Sequence, residues 1–269
     1  MATKYAHWLP PALITYLKPL LKHGVYFSGR YADWTSASKA SSGYDSELIL
    51  EKVKQATLEV IAGKAAFERD SVLFDKVQHS FPVLAGLLRA ATENNGQLSV
   101  LDFGGSLGSS YFQCRNFLSI LKSLSWNVVE QVHFVDCGRD CIQSEQLRFY
   151  FNIREVLKNQ QSNVILLSSV LQYLPEPYVI LSELLESKID YLIIDRTPFN
   201  DESDDVLTIQ HVPASIYSAS YPCNVFSKTK MLTYFSNQYE MVAEFSSNDG
   251  NAMIKNLHFT FSGMVLRRK

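Results

Sequence analysis

The sequence predicts an α/β protein: a mostly parallel sheet with helices on both faces, preceded by a helical N-terminal region. Three observations carry this expectation. From Gln97 onward, short apolar runs alternate with helix-like stretches, the pattern of strands buried on both faces and joined by crossover helices. One such run, Ser99–Phe103, ends in a glycine cluster that opens a helix. Residues 1 to about 95 show helical rhythm and no strand alternation.

Taken in order, Leu13, Ile14, Leu17, Leu20 and Leu21 share one helical face. That stripe predicts packing against the main domain and leaves room for a peripheral membrane contact. Basic residues and Pro10-Pro11 interrupt this segment. It therefore has neither the ~20 apolar residues of a membrane span nor the form of a signal peptide. Helices follow at Ser46–Lys64 and Phe81–Thr92, with the charged cluster Phe67-Glu68-Arg69-Asp70 between them.

Then come strands at Ser99–Phe103, Trp126–Val129, Leu147–Tyr150, Asn163–Leu167 and Tyr191–Ile194, with helices at Ser109–Lys122 and Tyr178–Leu185. Tyr239–Phe245 and His258–Leu266 read as a closing antiparallel hairpin whose connection contains Asp249-Gly250. Residues 200–238 are long for a connection and rich in Tyr, Phe and Pro, which predicts a functional lid. The division expected is a helical cap region at 1–95 and an α/β domain at 96–269.

Composition bounds the function. Of 269 residues, 46% are hydrophobic and 19% charged, and the net charge is −2. A globular chain with a buried core fits these values, and a broad nucleic-acid-binding face does not. Cys114, Cys137, Cys141 and Cys223 form no CxxC pair. The expectation is reduced thiols in a cytoplasmic protein and no metal site. The acidic cluster Asp201, Glu202, Asp204 and Asp205 reads as a solvated loop face.

The most informative motif is Val100-Leu101-Asp102-Phe103-Gly104-Gly105-Ser106-Leu107-Gly108. Glycines let a backbone turn sharply and approach a ligand, and the helix behind them presents free N–H groups. Three enzyme readings compete. A dinucleotide site wants G-x-G-x-x-G, and Ser106 occupies the second glycine position. A hydrolase elbow, G-x-S-x-G, is matched literally, with Asp195 and His211 following in the order that fold uses. It would need several strands upstream, where the chain reads as helical.

The third reading is a site for S-adenosyl-L-methionine. Asp102, on the first strand of the domain, suits the cationic end of that ligand. Glu130, ending the second strand, suits a ribose diol, because one carboxylate accepts both hydroxyl protons. A non-catalytic cofactor-binding scaffold is the alternative without chemistry.

The chain also resembles a known family, over nearly its whole length. The residues carrying the resemblance are Trp34, Gly43-Tyr44-Asp45, Glu68-Arg69-Asp70-Ser71, Leu101 to Gly108, Val128-Val129-Glu130-Gln131 and Ser168 to Leu174. They continue with Ile194 to Phe199, Gln210, Val212-Pro213, Ile216-Tyr217 and Ser220-Tyr221-Pro222. The family is one of bacterial S-adenosylmethionine-dependent methyltransferases associated with cell-surface polysaccharide genes. The resemblance implies a class I methyltransferase (Rossmann-like) fold with a seven-stranded sheet, and S-adenosyl-L-methionine as cofactor. It supplies no defined acceptor, so a small molecule or a glycan is expected. Asn224 stands where the family has tryptophan, and Phe151 and Asn152 stand where Asp and Ser are usual.

On this basis Asp102, Gly104, Gly105, Ser106, Gly108, Glu130 and Gln131 are expected at the cofactor. Phe149 and Tyr150 would flank adenine, and Ser168 and Ser169 would lie near the methyl group. Gln172, Tyr173, Arg196 and Tyr217 are expected at the acceptor. His211 is the candidate base, with Asp195 and Tyr221 as further catalytic candidates.

Overall fold

A computed structural model describes residues 24–43, 46–214, 216 and 218–269. The apolar stripe before Gly24 lies outside the described residues. One ten-stranded sheet organises the chain. Its central strands are β4 (Gln97–Phe103), β5 (Ser123–Val129), β6 (Leu147–Tyr150), β7 (Val164–Ser168) and β8 (Tyr191–Asn200), parallel in the order β6-β5-β4-β7-β8. The chain runs outward from β4 to β6 and returns to place β7 beside β4. The order therefore reverses between β4 and β7, the position where open α/β sheets leave a crevice at their carboxyl ends.

β11 (Tyr239–Ile254) and β12 (Leu257–Arg268) form an antiparallel hairpin, with β12 paired to β8. These seven strands form the mostly parallel, Rossmann-like sheet that the sequence predicts. The hairpin is longer than the sequence suggested. It turns at Lys255-Asn256, and Asp249-Gly250 falls inside β11, where the register slips between Ser246 and Asn251.

Both faces of the sheet are covered because alternate strand residues point to opposite sides. Val100, Trp126, Val128, Leu166 and Ile193 pack under α2 (Ser46–Ile61), α3 (Phe81–Glu93), α4 (Ser109–Leu118) and α5 (Val132–Cys141). Leu101, Val129, Ile165, Leu167, Leu192 and Ile194 pack under α6 (Ile153–Asn159), α7 (Pro177–Glu186) and α8 (Lys228–Phe235). In α3, Val83, Leu84, Leu87, Ala90 and Ala91 repeat at helical spacing and are all buried. Gly86 lets α3 press on the sheet: a Cβ there would sit 2.8 Å from Ile193 Cδ1.

Two regions depart from the sequence reading. The stretch before residue 95 is not purely helical. β1 (Tyr26–Tyr31) joins the main sheet, and β2 (Phe67–Arg69) and β3 (Val72–Phe74) form a small hairpin; α1 (Trp34–Lys39) is a short helix. The expected lid contains two long strands, β9 (Val206–Val212) and β10 (Ala219–Ser227), and α8. β1, β9 and β10 pair antiparallel into a three-stranded annex, attached where Phe226 and Ser227 of β10 run parallel to Phe199 and Asn200 of β8. The sheet thus has ten strands, seven in the expected core and three more in this annex. β9 and β10 carry polar residues at buried positions, Thr208 and Gln210 in one and Ser220 and Ser227 in the other, so neither reads as an apolar run.

Acidic residues before β9 are partly structural. Asp205 accepts from Tyr178 Oη (3.0 Å) and the Ser227 backbone N–H (2.8 Å), and Glu202 pairs with Arg30. Among the described residues no helix is long and apolar enough to cross a membrane.

Candidate active site

At the carboxyl ends of the central strands lies a cavity of about 1370 Å³, lined by residues from Gly24 to Phe261. This exceeds the roughly 300–1,000 Å³ of ordinary ligand pockets. Its floor is the turn after β4. Gly104 has φ +73°, and a Cβ there would collide with Val170, which follows β7. Gly105 lies directly over Asp102, whose Cγ would be 2.5 Å from an added Cβ. Gly104 and Ser106 line the cavity, whereas Gly105 and Gly108 shape the turn beneath it.

Glu130 and Gln131 follow β5 and line the same cavity. Glu130 Oε1 accepts from the Ser106 N–H at 3.3 Å and Oε2 from the Gln131 N–H at 2.7 Å. Burial raises its carboxyl, against the pull of these two N–H groups. Each oxygen retains acceptor capacity, so the side chain is braced against the turn and able to receive a diol.

Asp102 is corrected from the sequence expectation. It does not line the cavity. Its side chain is 1% exposed, on the face of β4 that carries Val100, and Trp126 Nε1 donates to Oδ2 at 2.8 Å. Burial first, then the charge of Glu130, pushes its carboxyl up to about 7, with the Trp126 bond opposing. Phe149 and Tyr150 are corrected too. Phe149 packs against Gly138 of α5 and Tyr150 lies in the opposite core layer. The next residue, Phe151, lines the cavity, with the Arg139 guanidinium 4.4 Å from its ring centroid.

On the β7–β8 side, Ser169 has φ +57° and lines the cavity. Gln172 is fully buried and donates to Ser169 Oγ and to the Arg196 carbonyl, each at 3.1 Å. It positions the cavity wall and does not face an acceptor. Arg196, at φ +51°, is held between two carboxylates: Nη2 donates to Asp70 at 2.7 Å and Nε to Asp249 at 2.9 Å. Burial would lift the Asp70 carboxyl, yet the charge and hydrogen bond of Arg196 bring it below its usual range.

Beside this clamp sits Glu68, 1% exposed, which accepts from Ser109 Oγ at the start of α4 and from the Ser71 N–H. Burial pushes Glu68 up to about 7, with the Ser109 bond opposing. Ser168 and Asp195 are displaced from the main cavity. They line a smaller one of about 200 Å³ behind Arg196, where Asp195 Oδ1 lacks a hydrogen-bond partner.

The annex supplies the remaining wall. Tyr173 Oη donates to Gln210 Oε1 at 3.1 Å, Gln210 Nε2 donates to Tyr221 Oη at 3.3 Å, and the two tyrosine rings meet edge-on. All three residues line the cavity. His211, the expected base, does not. It alternates with Gln210 and Val212 along β9, so its ring is on the opposite face, stacked on Tyr26 at 4.4 Å and bonded to Ser28 Oγ at 2.8 Å. Ser106, His211 and Asp195 therefore form no hydrolase triad. Tyr217 lies outside the described residues.

Glu68, Asp70 and Asp249 are cavity residues to which the sequence reading gave no role. The charged cluster and the Asp249-Gly250 pair were visible, but only tertiary contact shows that Arg196 joins them.

Neither a protein-family model nor a curated protein matches the chain. Solved structures similar to it include the N-terminal domain of EvdMO1 with SAH and D-fucose, 13% identical over 84% of this chain and 98% of that one, TM-score 0.49. Another is CalS10 of Micromonospora echinaspora with bound SAM, an amino pentose methyltransferase, at 11% identity, 71% and 93% coverage and TM-score 0.43. A third is magnesium protoporphyrin IX methyltransferase of Synechocystis PCC 6803 with bound SAH, at 13% identity, 70% and 81% coverage and TM-score 0.43.

Proposed function

We propose that the cavity binds S-adenosylmethionine and that the chain is a methyltransferase acting in the cytoplasm on an acceptor oxygen of a small molecule or glycan. The observation that carries this reading is the shared placement of the glycine turn and Glu130. A left-handed Gly104 with no room for a side chain and a braced carboxylate at the end of β5 face one cavity. Ser106 stands where the dinucleotide turn G-x-G-x-x-G has its second glycine, which fits a nucleoside ligand without phosphate better than a dinucleotide.

The residues fit the cofactor's parts. Glu130 would receive the ribose hydroxyls, Phe151 would flank the base, and the Gly104 and Ser106 backbone would meet the amino-acid end. Glu68, beside Ser109, provides negative charge opposite a cationic ligand. When bound, the cofactor supplies an electrophilic methyl group. The chain's contribution is to hold and orient two ligands in one cavity, a source of large rate gains.

Calorimetric titration with S-adenosylmethionine and S-adenosylhomocysteine tests this. Glu130→Ala removes two charge-assisted hydrogen bonds, at roughly 1.5–3 kcal/mol each, and should weaken binding at least about tenfold. Absence of saturable binding by the folded wild type would overturn the reading.

A further inference from the structure

The part of the cavity away from the glycine turn is bounded by α1, the annex and the β11–β12 hairpin. We infer that this lobe is an acceptor site for a non-anionic sugar ring and that it discriminates against phosphorylated or nucleotide-linked sugars. The inference rests on the methyltransferase reading and narrows its acceptor.

Three observations support it. The cavity is larger than one small ligand needs, and its lining extends from the glycine turn to α1, the annex and the β11–β12 hairpin. The distal wall is aromatic and amide-bearing. Trp34, Tyr173 and Tyr221 line it with Gln210, which Tyr173 and Tyr221 hold in place. Tyrosine and tryptophan offer flat apolar faces to the C–H face of a sugar ring, and their polar tips and a fixed amide meet its hydroxyls.

The third observation is charge. Glu68, Asp70, Glu130 and Asp249 all line the cavity. Among the described lining residues Arg196 is the sole Lys or Arg, and it is occupied by Asp70 and Asp249. His258, at the exposed end of the hairpin, is the remaining basic side chain. Among the described residues, a phosphate entering this space would meet carboxylates with no free guanidinium or ammonium to pair with, whereas a neutral or amino sugar meets no such penalty.

The test is calorimetry on the full chain saturated with S-adenosylhomocysteine. A panel of neutral and amino hexose and pentose phenyl glycosides is compared with uridine diphosphate glucose and glucose 1-phosphate. Members of the panel should bind saturably, and the phosphorylated sugars at least about tenfold more weakly. Trp34→Ala should weaken glycoside binding about tenfold while S-adenosylhomocysteine binding, which also reports folding, is unchanged. Asp249→Asn loosens Arg196 and should strengthen the binding of uridine diphosphate glucose by a few-fold. Phosphorylated sugars binding as tightly as the panel, or no glycoside binding to a chain that binds S-adenosylhomocysteine, would overturn the inference. If S-adenosylhomocysteine itself failed to bind, the methyltransferase reading would fall first and the inference with it.

Discussion

Replacing Asp102 by Asn separates a ligand contact from a buried structural acid. In the folded chain the Asp102 carboxyl titrates at about 7, against an ordinary 3.8. Between these values the folded state holds a proton that the unfolded chain has lost, so stability falls as pH rises from about 4 to about 7. The shift of about three pH units corresponds to at most about 4 kcal/mol. Asn has the same shape, and its Oδ1 still accepts from Trp126 Nε1, but it carries no charge to bury.

Asp102→Asn should therefore match the wild type near pH 4 and exceed it progressively up to pH 8, approaching that ceiling. Urea unfolding across this range, read as the difference between the two proteins, isolates this group from other buried acids. Binding of S-adenosylhomocysteine should stay within about threefold, since the side chain lies beneath the turn and not in the cavity. Parallel stability curves would refute the burial argument. A loss of affinity beyond about tenfold would show that Asp102 reaches the ligand.

Two further outcomes concern Glu68 in the cavity and His211 outside it. Glu68 titrates at about 7 because it is buried, and a cation beside it favours its ionised form. Affinity for S-adenosylmethionine should rise with pH up to about 7, by no more than about tenfold per unit, and then level off. Glu68→Gln should bind more weakly above pH 7 with a flat profile; a flat wild-type profile would refute the role. His211→Phe keeps a ring against Tyr26 but loses the Ser28 bond, so stability should fall by about 0.5–1.5 kcal/mol with cofactor affinity unchanged. A large loss of affinity would return His211 to the site.

Most of the central fold was legible in the sequence, and the reason is burial. β4, β5, β7 and the first half of β8 are covered on both faces, so each reads as a short apolar run bounded by polar residues. The glycine turn was legible because Gly104 cannot carry a side chain there, and Glu130 because it ends the next strand. β1, β9 and β10 were not. Tyr26–Tyr31 is half-buried and six residues long, and its partners lie about 180 positions away, as Tyr26 opposite His211 shows. Local periodicity carries no record of such pairing.

The sequence by itself determined a parallel α/β sheet with a glycine turn and an acid at the next strand end. Those features follow from local chemistry: hydrophobic runs, backbone freedom and spacing. Tertiary structure alone decided which way each neighbouring side chain points. Strand alternation carried His211 out of the cavity and Gln210 into it, and the helix-covered face of β4 took Asp102. Long-range packing brought Asp70 and Asp249 to either side of Arg196. A one-residue step along a strand reverses the facing of a side chain, and that step is fixed by register with strands distant in sequence.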